Sequence, residues 1–566
     1  MAPRTRASTS ALSSPALDAA LPEELLSTIC SFSPQSSLLN LAQCSKTLHR
    51  IAIPHLYAHI SFRTWESPFL LPFAWRVFTS AQHAKYVRSL AVSVASGMSS
   101  PVDVWDDDDR EAKRPWLASS RGRRGGSGDE NAEEENKQMV EKTLKKVCVQ
   151  HTIDEQDAEE MFNMVKSGGN DIAIVVLMIA HLHNLRTLDF CYCSISTSKT
   201  LLRALDLVTR GPRSLKSGQS SPQQDHPLSF SKPLDIMVSG DDDKYPNHSL
   251  HVAAFLNLPN IRSLYAWKSG DSDWDDSMPR DDAFFKLKPR SCAVEYMELR
   301  CSKLYHEHFD YLLNALIPAK LKTFIYEVGC TWAWVSVHHK KMIESLAPHY
   351  ETLECLEFSH ESFYPYQFGN DTEEPVPISF KCFQNLKKLK VAPVYIWGEG
   401  PLDKEAPNGA ITKRDMLQNA LPGTLEELWI TRVDTEHRNT HYIQEILLPA
   451  LSYVVGNSKS DFPQLTRLYL TFSGTDPYLG WLNALYGISL VAKNYGITVF
   501  IKLCGDSRQG FDEQRRWGWY EEVEWEWCYH NSGCFSPAIV VADYDDEDGL
   551  WEALKEYGVG RKAEWS

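Results

Sequence analysis

Along most of its length this chain repeats one short motif: two apolar residues three apart, then a third two positions further on. Leu185-x-x-Leu188-x-Phe190-x-x-Cys193-x-Ile195 is its fullest form, and Val87-x-x-Leu90-x-Val92 is an earlier copy. Weaker copies begin at Ile261, Val294, Leu321, Leu353, Leu386, Leu425 and Leu465, at intervals of 33, 27, 32, 33, 39 and 40 residues. Between them run stretches at helical period: 158–165, 200–208, 309–316, 340–346, 414–421, 443–455 and 482–491. Short strands alternating with helices predict an α/β architecture, with a parallel sheet on one side, helices on the other, and each unit burying its apolar face against the next. A conventional α/β domain shares that alternation and stays open as the alternative.

The Leu185 unit resembles a leucine-rich repeat, matching its Asn/Cys position and its last apolar residue. The intervals exceed the usual repeat of about 20–29 residues, and only Cys193 fills the Asn/Cys position, so the resemblance implies an irregular solenoid with unequal loops. In such a body the strand residues beside the buried leucines line one surface. Of these, Tyr265, Trp267, Tyr296, Arg300, Trp429, Arg467 and Tyr469 are the expected substrate-binding residues, because Trp, Tyr and Arg most often anchor protein interfaces. A slip of one residue in register would bury the same side chains.

The N-terminal stretch 21–62 reads LPEELLSTICSFSPQSSLLNLAQCSKTLHRIAIPHLYAHISF, too apolar for about forty residues to stand alone. Pro22 suits a first helical turn, and Glu23 and Glu24 suit the positive end of the helix dipole. Leu21, Leu25, Ile29 and Phe32 follow at helical spacing, widened by Leu26 and Cys30. Ser33-Pro34 ends that helix, Ser36 or Ser37 is expected to cap a second, and Ser45 a third. The opening Leu-Pro-x-Glu-Leu-Leu, Ile29, the Leu38-Leu39-x-Leu41 core, Cys44 before Ser45-Lys46 and the closing Pro54-x-Leu56-Tyr57 resemble an F-box. That resemblance implies docking of the Skp adaptor of an SCF-type cullin-RING ubiquitin ligase through Leu21, Pro22, Leu25, Leu26, Ile29, Leu38, Leu41 and Leu48. The rest of the chain would then capture a protein substrate, and the chemistry would belong to partners. The rival readings are an adaptor-bound scaffold that ubiquitinates nothing and an enzyme with its site hidden in the body.

A net charge of -16 over 566 residues argues against a general nucleic-acid or anionic-membrane binder, since phosphate contact falls mostly to Lys and Arg. The longest apolar run, 172–180, is too short for a membrane span, which needs about 20 residues. Thirteen cysteines without framework spacing, and no signal peptide ahead of them, point to a reducing compartment, cytoplasmic or nuclear. Residues 1–20 read as a disordered tail. The insertion 99–140, with WDDDDREAKR and SSRGRRGGSGDENAEEENK, holds almost nothing to bury and reads as a disordered loop within a body of 80–510.

Chemical motifs are sparse. Gly122, Gly125, Gly126 and Gly128 lack the following Lys-Ser/Thr of a phosphate loop, and neither G-x-S-x-G nor H-E-x-x-H occurs. His181-x-His183 with Cys191-x-Cys193, and Cys528-x-His530-x3-Cys534, hold zinc-ligand residue types, but the repeat places Cys191 and Cys193 in different environments. No metal, cofactor or catalytic residue is expected. Trp517, Trp519, Trp525 and Trp527 fall in two alternating pairs that suggest a capping hairpin within 511–566, ahead of the acidic run 543–548.

Overall fold

The computed structural model describes residues 21–62, 70–94, 130–166, 172–192, 198–210, 230–240, 247–271, 287–329, 335, 337–360, 378–397, 420–434, 443–473, 479–504, 539–544, 549–550 and 552. Three helices open the chain: α1 (Glu23–Ser31), α2 (Gln35–Cys44) and α3 (Lys46–Ala58). Ser45 caps α3, its hydroxyl accepting the Leu48 N–H at 3.1 Å. The cap expected from Ser36 or Ser37 is not used. Pro34, with its fixed φ of -65°, starts α2 two or three residues earlier and no side chain caps it.

The described strands form one thirteen-strand sheet in strict chain order. They are β1 (His59–Phe62), β2 (Ser89–Val94), β3 (Thr187–Tyr192), β4 (Leu234–Gly240), β5 (Ile261–Trp267), β6 (Tyr296–Ser302), β7 (Thr323–Val328), β8 (Cys355–His360), β9 (Lys388–Val391), β10 (Glu427–Asp434), β11 (Arg467–Ser473), β12 (Thr498–Cys504) and β13 (Ile539–Val540). Every pairing from β1 to β12 is parallel; β13 runs antiparallel against β12 and closes that end. A parallel sheet in sequential order, with helical connections between strands, is the arrangement of a solenoid body.

One face of each strand from β1 to β12 feeds a single core, as with Leu188 and Phe190, Leu264 and Ala266, Leu356 and Phe358, Leu428 and Ile430, Leu468 and Leu470. The helices on that side include α4 (Leu70–Thr79), α5 (Ala81–Tyr86), α6 (Glu130–His151), α7 (Glu155–Lys166), α8 (Ile172–His181), α9 (Ser198–Thr209), α10 (Ser249–Leu256), α11 (His306–Ala315) and α12 (His339–Glu344). Beyond them lie α13 (Pro393–Trp397), α14 (Leu448–Gly456), α15 (Ser458–Asp461) and α16 (Leu479–Asn494). All ten residues of α8 are buried, because α4, α6, α7 and α9 pack around it. Its uniform apolarity is that of a wholly enclosed helix.

One boundary differs from the expected one. The insertion does not extend to residue 140: α6 begins at Glu130, and Val140, Leu144, Val147 and Cys148 are buried on its inner face. The acidic run that suggested disorder there is the start of a long helix whose apolar spacing begins only at Val140. At the front, the last four residues of the expected 21–62 module form the first strand of the sheet. Helix α3 runs directly into β1, which pairs in register with β2. Among the described residues no helix is long and apolar enough to cross a membrane. The expected tail 1–20, the glycines at 122–128, the tryptophan pairs and Cys528 to Cys534 lie outside the described residues.

Candidate docking faces

The N-terminal helices close a small core of their own from Leu26, Cys30, Leu38, Ala42, Leu48, Ile51 and Ala52, with Leu21, Leu41, Ile53 and Leu56 packed against it. This divides the expected adaptor-binding residues. Leu26, Leu38 and Leu48 are 2–5% exposed and hold the unit together, so they cannot meet a partner directly. Leu21 and Leu41 are half-buried at the edge of that core, and Pro22 is exposed. Leu25 and Ile29 point outward at 51% and 46% exposure, joined by Phe32 at 86% and Leu39 at 49%. Phe32 and Leu39 were absent from the expected set. Leu39 follows Leu38 in sequence, and one residue turns a helix by about 100°, so neighbours face different ways.

This outward row is held rigidly. Arg50 pairs with Glu23, tying α3 to α1, and Ser27 Oγ lies 3.1 Å from His55 Nε2. Tyr57 stacks on Phe73 and tilts against His83, and the Arg88 N–H donates to the Ala58 carbonyl, so the helical unit is fixed to the first strands.

The opposite face of the sheet carries the expected substrate residues, in the predicted register. Pairing aligns Met237, Tyr265, Glu298, Ile325, Glu357, Lys390, Trp429, Tyr469 and Phe500 in one row. Exposure differs from expectation in the middle of the body. Tyr265 is 1% exposed and Trp267 6%, within a small apolar cluster with Met237 and Cys301 that is separate from the main core. Arg300 is 1% exposed, and Tyr296 is half-buried. Tyr265, Trp267 and Arg300 are therefore not open contact residues.

Arg300 is buried because it is the hub of an ion network. Its guanidinium pairs with Glu298 on its own strand, with Glu327 at 3.4 Å and in two-pronged fashion with Glu357 at 3.0 and 2.9 Å; Lys390 reaches Glu357 at 3.0 Å. The Tyr296 hydroxyl donates to Glu298. A bulge produces this: Leu299 pairs with Tyr326 and Ser302 with Val328, leaving Arg300 and Cys301 opposite Glu327 alone, with Cys301 at φ 50°. Burial opposes charge on Arg300, but Glu357, Glu298 and Glu327 hold it firmly protonated. Burial lowers Lys390 to about 8 despite Glu357. Alternation alone could not reveal the bulge.

Of the expected substrate residues, those toward the C-terminal end are the more open ones. Trp429 and Tyr469 are half-buried and stacked at 3.7 Å between ring centroids, Phe500 follows at 4.4 Å, and the Arg467 side chain is 46% exposed.

Of the zinc-ligand candidates, His181 contacts His151 at 3.0 Å and Cys191 is buried on the strand; no group of three or more metal-ligating side chains occurs among the described residues. Asp271, Ser249 and His308 form a Ser–His–Asp group on paper, but the Ser249 hydroxyl donates to Asp271 at 2.5 Å while His308 Nδ1 faces both. A nucleophile needs the second imidazole nitrogen; this arrangement instead ties together the starts of α10 and α11, where Asp271 also accepts the Tyr305 N–H at 2.9 Å.

The two faces define a modular protein: a compact helical unit with an outward apolar row, fused to a parallel α/β repeat body. The F-box-like family model matches residues 18–63, so the chain carries an F-box-like domain. A comparison with curated proteins finds no match for the chain.

Proposed function

We propose that the chain is a non-catalytic substrate-recognition subunit of an SCF-type ligase, its F-box-like domain docking the Skp adaptor and its repeat body capturing a protein substrate. The observation that carries this reading is the outward row Leu25, Ile29, Phe32 and Leu39 on a unit whose own core is already closed. Leaving four large apolar side chains 46–86% exposed forgoes on the order of 1–2 kcal/mol each, a cost recovered when a partner covers them. The mechanism is proximity. A substrate held on the sheet face gains a high effective concentration near a ubiquitin-charged enzyme carried elsewhere on the ligase.

Replacing Leu25 and Ile29 by Ala should abolish capture of purified Skp adaptor while leaving the thermal melt unchanged, since both side chains are exposed. Undiminished capture would overturn adaptor docking through this face. Cullin retained by the wild-type chain and lost by the double variant separates a ligase subunit from an adaptor-bound scaffold.

A further inference from the structure

The open end of the strand face has a defined chemistry. Trp429, Tyr469 and Phe500 occupy matching positions in three neighbouring parallel strands, with ring planes within 12° and 10° of parallel. Their faces are spent on one another, so the strip presents ring edges outward, the positive side of an aromatic quadrupole. At its border lie Arg467, 46% exposed, and Lys388, 25% exposed, both paired with Glu427, whose side chain is 4% exposed. Two cations share one buried carboxylate, and Glu427 is further engaged by Trp429 Nε1 at 3.2 Å. A net positive border beside positive ring edges stands out on a chain of net charge -16.

Resting on the substrate-capture reading, we propose that this strip takes an extended acidic segment bearing aromatic side chains, whose ring faces lie against the ring edges and whose carboxylates meet Arg467 and Lys388. Charge complementarity and quadrupole polarity select the same occupant: carboxylates and aromatic faces are both electron-rich, whereas a basic segment meets repulsion at the border. Electrostatic selection of this kind weakens with added salt.

The test uses the full chain and three labelled peptides of equal length, alternating Glu-Tyr, Lys-Tyr and Glu-Ala, in fluorescence polarisation. The Glu-Tyr peptide should bind at least tenfold more tightly than either control. Arg467→Glu, with its melt measured alongside because buried Glu427 loses a cation, should weaken it at least tenfold in folded protein, and Trp429→Ala/Tyr469→Ala should abolish it. Equal binding of all three peptides, or wild-type affinity in Arg467→Glu, overturns the inference. Proximity labelling in cells separates this from the broader reading: if Trp429→Ala/Tyr469→Ala loses labelled neighbours although no Glu-Tyr binding exists, the face captures partners of other chemistry and only the present inference falls. If the neighbours also persist unchanged, substrate capture by this face falls with it.

Discussion

Leu25 and Leu26 are adjacent and chemically identical, yet one is 51% exposed and the other 2%. Leu26→Ala should therefore cost about 2–4 kcal/mol by opening a cavity in the N-terminal core, whereas Leu25→Ala should move stability by no more than about 0.5 kcal/mol. Chemical denaturation of the two variants measures both, and equal losses would contradict the assignment of faces. A second contrast concerns charge. Burial alone would lower His308, but its hydrogen bond to Asp271 and that residue's charge raise it above the usual histidine range. A histidine raised on folding stabilises fully below its unfolded value of about 6.5 and loses that contribution as pH climbs through the folded value. His251 and His339, lowered by burial to about 3, act in the opposite sense by favouring folding as pH rises past their unfolded value. The effect must accordingly be read as a difference: the stability lost in His308→Gln should be largest near pH 5 and shrink toward pH 9. A difference independent of pH would show that His308 carries no extra charge on folding.

Strands were legible where apolar alternation was undiluted, as at Leu188-x-Phe190 and Leu428-x-Ile430. Four were missed: β1, β4, β12 and the two-residue β13. In β4 Pro233 and in β12 Gly496, at φ 77°, occupy the place of the motif's first leucine, so the pattern was broken although the alternation at Ile236-x-Val238 and Val499-x-Ile501 survives. The first, β1, was hidden because its residues close the F-box motif. The alternation also fixed which face each strand buries but not how open the other face is, because exposure depends on neighbours far away in sequence. Arg300 shows this, since Glu327 and Glu357, 27 and 57 residues on, decide its burial. Removing the hub leaves three buried carboxylates with Lys390 as the remaining cation of the two in the network, so Arg300→Ala should destabilise the body by about 3–5 kcal/mol. Urea unfolding tests this, and a loss below about 1 kcal/mol would mean that the carboxylates simply take up protons.

Helix α3 passes into β1 without an intervening loop, and β1 is hydrogen-bonded in register to β2. The N-terminal unit and the repeat body should therefore unfold together. Calorimetry should show one transition covering both, and six Gly-Ser residues inserted between Ala58 and His59 should split off an earlier transition for the three helices. Two transitions already present in the unaltered chain would refute the coupling. The same junction also makes the sheet a ruler. Parallel strands stack at about 4.8 Å, so the aromatic strip on β10 to β12 stands nine to eleven spacings from β1, about 43–53 Å measured along the sheet. Adding or deleting one strand–helix unit would move a cargo by about 5 Å relative to the adaptor without altering either contact surface, and repeat number thereby becomes a heritable setting for which lysine of a bound protein comes within reach.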